Sequence, residues 1–345
     1  MLRVRIDKLK AGMVTASPVY DPRAEEGLPL LSEGVSLVEG YILRLMKHGV
    51  MWVYVEVPEG YVGRPGESIE VERIKKDMVF EGRLSVIGNV PAGLKVDGRE
   101  RVAIMGDLEK GAAVTCREGS IVVRGSAFGV QESPATINVA GNVILQTARF
   151  VDVKAGGVIR LTGTVSNSSL QTKGSVRIEG PASSTRIQAQ GLVHLSAAQS
   201  QGGPVQITIR PQEVHALLQE LIRIDARLGE IASEKERLMN GIDLIRKLGG
   251  TIDALPEDKR TAITEDVRRY KELDQEATAL SVRKEQVMAD NTRILGSPWV
   301  KVPGFIAKGT RITILNSTYE VPADTRHKSF SVRDFNVHVS EYTAA

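Results

Sequence analysis

The chain holds a single cysteine, Cys116, among its 345 residues. An internal disulfide is therefore excluded, and a reducing compartment is the expected setting. Cys116 sits in CREGSIVV beside a turn, where it reads as a small structural side chain rather than a reactive thiol. Aromatics make up only 4% of the residues, which leaves few platforms for stacking bases. No apolar run reaches the roughly 18 residues a membrane-spanning helix needs. The opening MLRVRIDKLKAGM is basic but leads into no apolar segment, so no secretory leader is expected and the expected address is the cytoplasm.

Chemistry-bearing patterns are also scarce. The five histidines, His48, His194, His215, His327 and His338, include no pair at the spacing of a helical metal site, and no Cys/His cluster exists. Neither a phosphate loop nor a dinucleotide fingerprint occurs. No metal or cofactor is expected. Net charge is +3 overall. Residues 81–210 carry 14 basic against 9 acidic side chains, and residues 211–292 carry 13 against 17. A +5 balance over 130 residues is too weak to argue nucleic-acid binding by charge alone.

What the chain has in quantity is glycine, 33 in all. From about 80 to 210, short alternating strands recur between glycines, as in INVAGNVILQ, VDVKAGGVIRLTG, LQTKGSVRIEG and IQAQGLVHLSA. Gly141, Gly157, Gly174 and Gly191 are spaced 16, 17 and 17 residues apart, and Gly163 and Gly180 form a second series of 17. A fixed period with two alternating strands per unit is a solenoid signature. Each unit is one coil, its inward side chains stacked on those of the next. Glycine at the corners predicts a positive φ there. Gly119 to Gly141 spans 22 residues, so GSAFGVQESP is expected to bulge.

Residues 1–57 read as a small α+β module. MVTASPVY (13–20) is an expected strand, Ser36 and Glu39 have capping-box spacing before a helix, Gly49 suits a left-handed stop, and VMWVYVE (50–56) is the returning strand. Residues 58–79 have the Gly, Pro and Glu content of a linker.

Residues 211–292 switch to helical period. Leu217, Leu221, Ile224, Leu228, Ile231, Lys235, Leu238, Ile242 and Ile245 alternate spacings of 4 and 3, a heptad seam with one polar member. LGGTIDALPED is the turn. Ile263, Tyr270, Leu273, Ala277, Leu280, Lys284 and Val287 form the returning seam. Two such helices predict an antiparallel coiled-coil hairpin of about 50 Å. Residues 293–345 return to β pattern and are expected to complete or cap the solenoid.

This order of parts resembles the FapA family of flagellar assembly protein A-like proteins over roughly residues 80–345. The repeated strands, the seams from Leu217 and Ile263 and the tail Lys301–Val339 carry the likeness. The opening LKAGMVTASPVYD…LLSEGVSLVEGYILRLMKHGVMWVYVE looks like a module found before HD-GYP signalling domains. The resemblance implies a bacterial cytoplasmic protein, mainly β, with a right-handed parallel β-helix of single strands and a structural or assembly role. It implies no catalytic residues.

The expected function is therefore a non-enzymatic scaffold that meets protein partners, or copies of itself, through the β-helix and the coiled coil, with no small-molecule substrate. A carbohydrate-active or acyltransferase-like enzyme is the alternative. It needs a groove where titratable groups converge, with His194, Asp152, Lys173 and Glu179 as candidates. A weak nucleic-acid-binding module is the third reading, and it needs Arg124, Arg160, Arg177 and Arg186 on one face.

Overall fold

The computed structural model describes residues 2–23, 27–56, 62–247, 257–334 and 336–343, with the backbone alone at 2, 241–247, 258 and 259. Two compact units result: Met1–Arg210 with Pro298–Ala345, and Pro211–Ser297.

The first unit is a β-solenoid of about eight turns, with nine parallel rungs on each of two long ladders. The first ladder runs through Ser68–Val71, Arg83–Val86, Arg101–Ile104, Ser120–Val123, Val143–Leu145, Ile159–Leu161, Val176–Ser183, Val193–Gln199 and Val300–Ile306. The second runs through Met78–Phe80, Lys95–Gly98, Ala113–Cys116, Ala135–Val139, Val151–Ala155, Ser169–Thr172, Arg186–Ala189, Gln206–Ile209 and Arg311–Ile314. Alternation along each strand turns every second side chain inward. Because all rungs are in register, inward residues form continuous columns. Val102, Ile121, Val143, Ile159, Val176, Val193 and Val300 make one, all buried. Val114, Ile137, Val153, Leu170, Ile187, Ile207 and Ile312 make its counterpart. Ordering a residue's backbone costs about 1–2 kcal/mol, more than one thin coil recovers, so stability comes from stacking on neighbours.

A third, shorter ladder lies between the two. Ser126–Phe128, Thr147–Arg149 and Val165–Ser166 continue into the ends of Val176–Ser183 and Val193–Gln199. It contributes one inward residue per rung: Leu108, Ala127, Ala148, Val165, Ala182 and Ala198, all buried. The sequence pattern predicts two strands per coil, because strands of two or three residues show no alternation to read. Part of the expected bulge is thus ladder strand, and the extra residues are confined to 129–134, where Val130 and Ser133 bridge.

The linker composition of 58–79 is also deceptive. Ser68–Val71 pairs in parallel with Arg83–Val86, and Met78–Phe80 with Lys95–Gly98. The first coil begins inside that stretch, its inward Ile69, Val71 and Phe80 buried.

Before it, Leu2–Arg5 pairs antiparallel with Trp52–Val55 and touches Val71, extending the first ladder. The expected strand at 13–20 is reduced to isolated bridges, Val14 to Ser36, Thr15 to Val55 and Val19 to Leu31. Helix α1 spans Glu39–Lys47, but its N-cap is Val38 and carries no side-chain cap. The expected capping box does not form, because Leu37, which would open the helix, donates its N–H to the Met13 carbonyl at 2.6 Å and holds Ser36 in the bridge to Val14. Gly49 does take the left-handed stop, at φ +77.

After the ninth rungs the pairing changes from parallel to antiparallel. Ser317–Glu320 folds antiparallel onto Arg311–Ile314, and Thr325–Arg333 onto Val300–Ile306, followed by Asn336–Glu341. The antiparallel strands end the parallel stack and cover the edge it would otherwise expose.

The second unit is a pair of packed helices, α2 (Gln212–Lys247) and α3 (Glu257–Gly296). The expected turn at 248–256 and the side chains of Ile242 and Ile245 lie outside the described residues. Of the expected seam, Ile224, Ile231, Ile263, Leu273 and Val287 are buried. Leu217, Leu221, Leu228, Leu238, Tyr270 and Leu280 are half-buried. Pairs cross between the helices along the seam: Arg283 with Glu220 at 2.7 Å, Lys284 with Asp225 at 2.6 Å, and Arg269 with Glu234 at 2.9 Å. The polar seam member Lys235 reaches Asp274 at 2.6 Å and lies 4.7 Å from the Tyr270 ring centre. An ion pair and a cation–π contact thus satisfy a charge in an apolar row.

Candidate interaction surfaces

The glycine series occupies the solenoid corners, but not for the expected reason. None of Gly141, Gly157, Gly163, Gly174, Gly180 and Gly191 has a positive φ. Each instead lies against the backbone or a short polar side chain of the preceding coil. A Cβ on Gly141 would meet the Gly119 carbonyl oxygen at 2.5 Å, one on Gly180 the Gly163 carbonyl carbon at 2.4 Å, and one on Gly191 the Ser175 hydroxyl at 2.6 Å. Close approach, not handedness, selects glycine there. The left-handed corner lies elsewhere, between the third and second ladders, and is occupied by Phe150, Asn167 and Ser184 at φ 52, 49 and 46. Ser168 and Thr185 follow it, buried, each hydroxyl donating to a carbonyl two residues back at 2.8 and 2.7 Å. The 17-residue spacing was the available signal for this corner, and the mixed residue types concealed it.

Outward side chains also stack in rows, one per rung at about 4.8 Å. On the first ladder a row passes through Ile144, Arg160, Arg177, His194 and Lys301. Arg160 and Arg177 share one carboxylate, Glu179, at 2.7 and 3.4 Å. His194 is half-buried, its Nδ1 has no hydrogen-bond partner, and its ring meets Tyr342 edge-on at 6.4 Å. Burial lowers its proton affinity, and the adjacent Arg177 and Lys301 lower it further. A general base needs an acid or an orienting carboxylate. Here Glu179, the carboxylate that acts on it, already serves two guanidinium groups.

Of the other catalytic candidates, Glu179 alone acts on His194. Asp152 is on the second ladder and Lys173 at the corner after it, whereas Glu179 lies within Val176–Ser183, just past its first-ladder pairing. Arg186 is on the second ladder, and Arg124 lies beyond the end of Ser120–Val123. Only Arg160 and Arg177 of the four arginines share a row. Among the described residues no group of three or more His, Cys, Asp or Glu side chains is placed to hold a metal ion. Cys116 is an inward residue of the second ladder, buried between Gly98 and Val139 in register, its thiol donating to the Arg99 carbonyl at 3.4 Å.

The hairpin offers a different surface. Outside the seam, Leu218, Ile222, Val282 and Met288 remain exposed, Ile222 by 69%. No described helix is long and apolar enough to cross a membrane.

Fold and surfaces define a β-solenoid protein that carries a helical hairpin between its eighth and ninth coils. The FapA family, described as the Flagellar Assembly Protein A beta solenoid domain, matches residues 68–337. The chain belongs to that family. No curated protein and no solved structure matches it.

Proposed function

We propose that this chain is a non-enzymatic scaffold of the bacterial cytoplasm, serving flagellar or envelope-associated assembly by docking proteins, a second copy of itself among them. The observation that carries this reading is on the hairpin. Its described seam residues are buried or half-buried within the chain, yet Leu218, Ile222, Val282 and Met288 stay in water. Large side chains exposed beside a paired seam are the material of a helix–helix contact with another molecule. The family supports an assembly role. The N-terminal module, outside the matched stretch, would add a second docking site. Light scattering over a concentration series tests the reading. A concentration-dependent oligomer that Ile222→Glu disperses supports it, and a monomer at every concentration removes self-docking.

A further inference from the structure

Five successive corners between the third and second ladders, from the coil of Ser126–Phe128 to that of Val193–Gln199, differ in length. Residues 129–134 make the first, Phe150 alone the second, Asn167–Ser168 the third, Ser184–Thr185 the fourth and residues 200–205 the fifth. Two six-residue loops thus bracket three tight corners, each of which holds one left-handed residue. The result is a recess of about 520 Å³ with Pro134 at one end, Pro204 at the other and Phe150 in the wall. Four rung steps separate the bracketing coils, a span of about 19 Å. The two longest of these corners therefore stand at the two ends of one site.

The floor carries a specific charge pattern. Asp152, Ser169 and Arg186 follow one another in register on adjacent rungs. The carboxylate and the guanidinium are exposed, and neither has an ion pair or side-chain hydrogen bond among the described residues. Two rungs, about 9.6 Å, separate them, too far to pair with each other.

We propose that this recess binds an extended peptide segment of a protein partner, about five residues long, with one basic and one acidic side chain two positions apart. The proposal rests on the docking function above and names the chemistry of one partner. Five extended residues span about 17 Å, and residues two apart project to the same side about 7 Å from each other. Long side chains cover the remaining distance to Arg186 and Asp152. A glycan would find one half-buried ring and no stacking platform. A nucleic acid would find a single cation opposed by an anion.

The test titrates the full chain with a blocked Thr-Lys-Thr-Glu-Thr peptide and with Thr-Lys-Glu-Thr-Thr, whose charges point to opposite sides, read by NMR shifts. The first peptide is expected to bind about tenfold or more tightly than the second, a difference of about 1.4 kcal/mol, with shifts confined to the recess. Asp152→Asn with Arg186→Gln abolishes the preference, while Asp152→Lys transfers it to Thr-Glu-Thr-Glu-Thr. No binding, equal binding of the two peptides, or a preference that survives Asp152→Asn with Arg186→Gln overturns the proposal. Light scattering on the same protein reads self-docking independently, so either idea can fail without the other.

Discussion

A Cβ on Gly174 would lie 2.6 Å from the carbonyl oxygen of Gly157, its counterpart one coil earlier. Coil-to-coil hydrogen bonding fixes the separation of these two backbones, because the Lys173 N–H donates to the Ala155 carbonyl at 3.2 Å and the Ile159 N–H to the Ser175 carbonyl at 3.0 Å. A side chain there must push the coils apart.

Gly174→Ala is therefore expected to destabilise the solenoid by about 1–3 kcal/mol, the range for overpacking. Gly229→Ala on α2, where nothing lies within 4 Å, is expected to stabilise the hairpin by roughly 0.5–1 kcal/mol. Urea unfolding followed separately through β and helical signals checks both. A neutral Gly174→Ala contradicts close approach as the reason for glycine.

The hairpin is expected to weaken in acid. Hydrogen bonds from Arg227 and Arg269 hold Glu276 and Glu234 below their ordinary 4.5. The folded state then binds fewer protons than the unfolded chain, so this stabilisation is complete above 4.5 and is lost as pH falls through the lowered values. Helical circular dichroism should decline over that window, and less so in Arg227→Gln with Arg269→Gln, which starts without the bonds.

His194 has the same sign for a different cause. Burial, then Arg177 and Lys301, hold its titration below the ordinary 6.5. The unfolded chain takes the proton first, so stability is full above 6.5 and declines as pH drops through the lowered value. NMR titration should place the native midpoint under 6.5, and Lys301→Met should raise it. A native midpoint at or above 6.5 would show that the flanking charges do not act.

Burial likewise pushes the Cys116 thiol up, and its sulfur is enclosed by the second ladder. A thiol reagent should leave it unmodified in the native chain and label it fully in urea. Rapid labelling of the native chain would place it outside the core.

How much of this was legible in the sequence follows from the physics of each feature. Val176 and Ile178, or Val193 and Leu195, announce their strands because alternation survives over four residues, and Gly157, Gly174 and Gly191 announce the period. The seam from Leu217 is equally plain, since nothing interrupts its 4–3 spacing over the described helix. Ala148, Val165 and Ala182 left no trace of the third ladder, because each is a lone inward residue. The corner at Phe150, Asn167 and Ser184 was hidden because the surrounding stack, not the residue type, imposes the positive φ. The recess needed both, since loop lengths at 129–134 and 200–205 acquire meaning only once they share a corner.

The scaffold reading meets its most direct test in the solution mass of the intact chain, measured by light scattering after size exclusion across a concentration series. Docking through the hairpin predicts a mass that rises with concentration and an Ile222→Glu variant that dissociates at about tenfold higher concentration, or above. A monomer throughout, or an oligomer indifferent to Ile222→Glu, contradicts it.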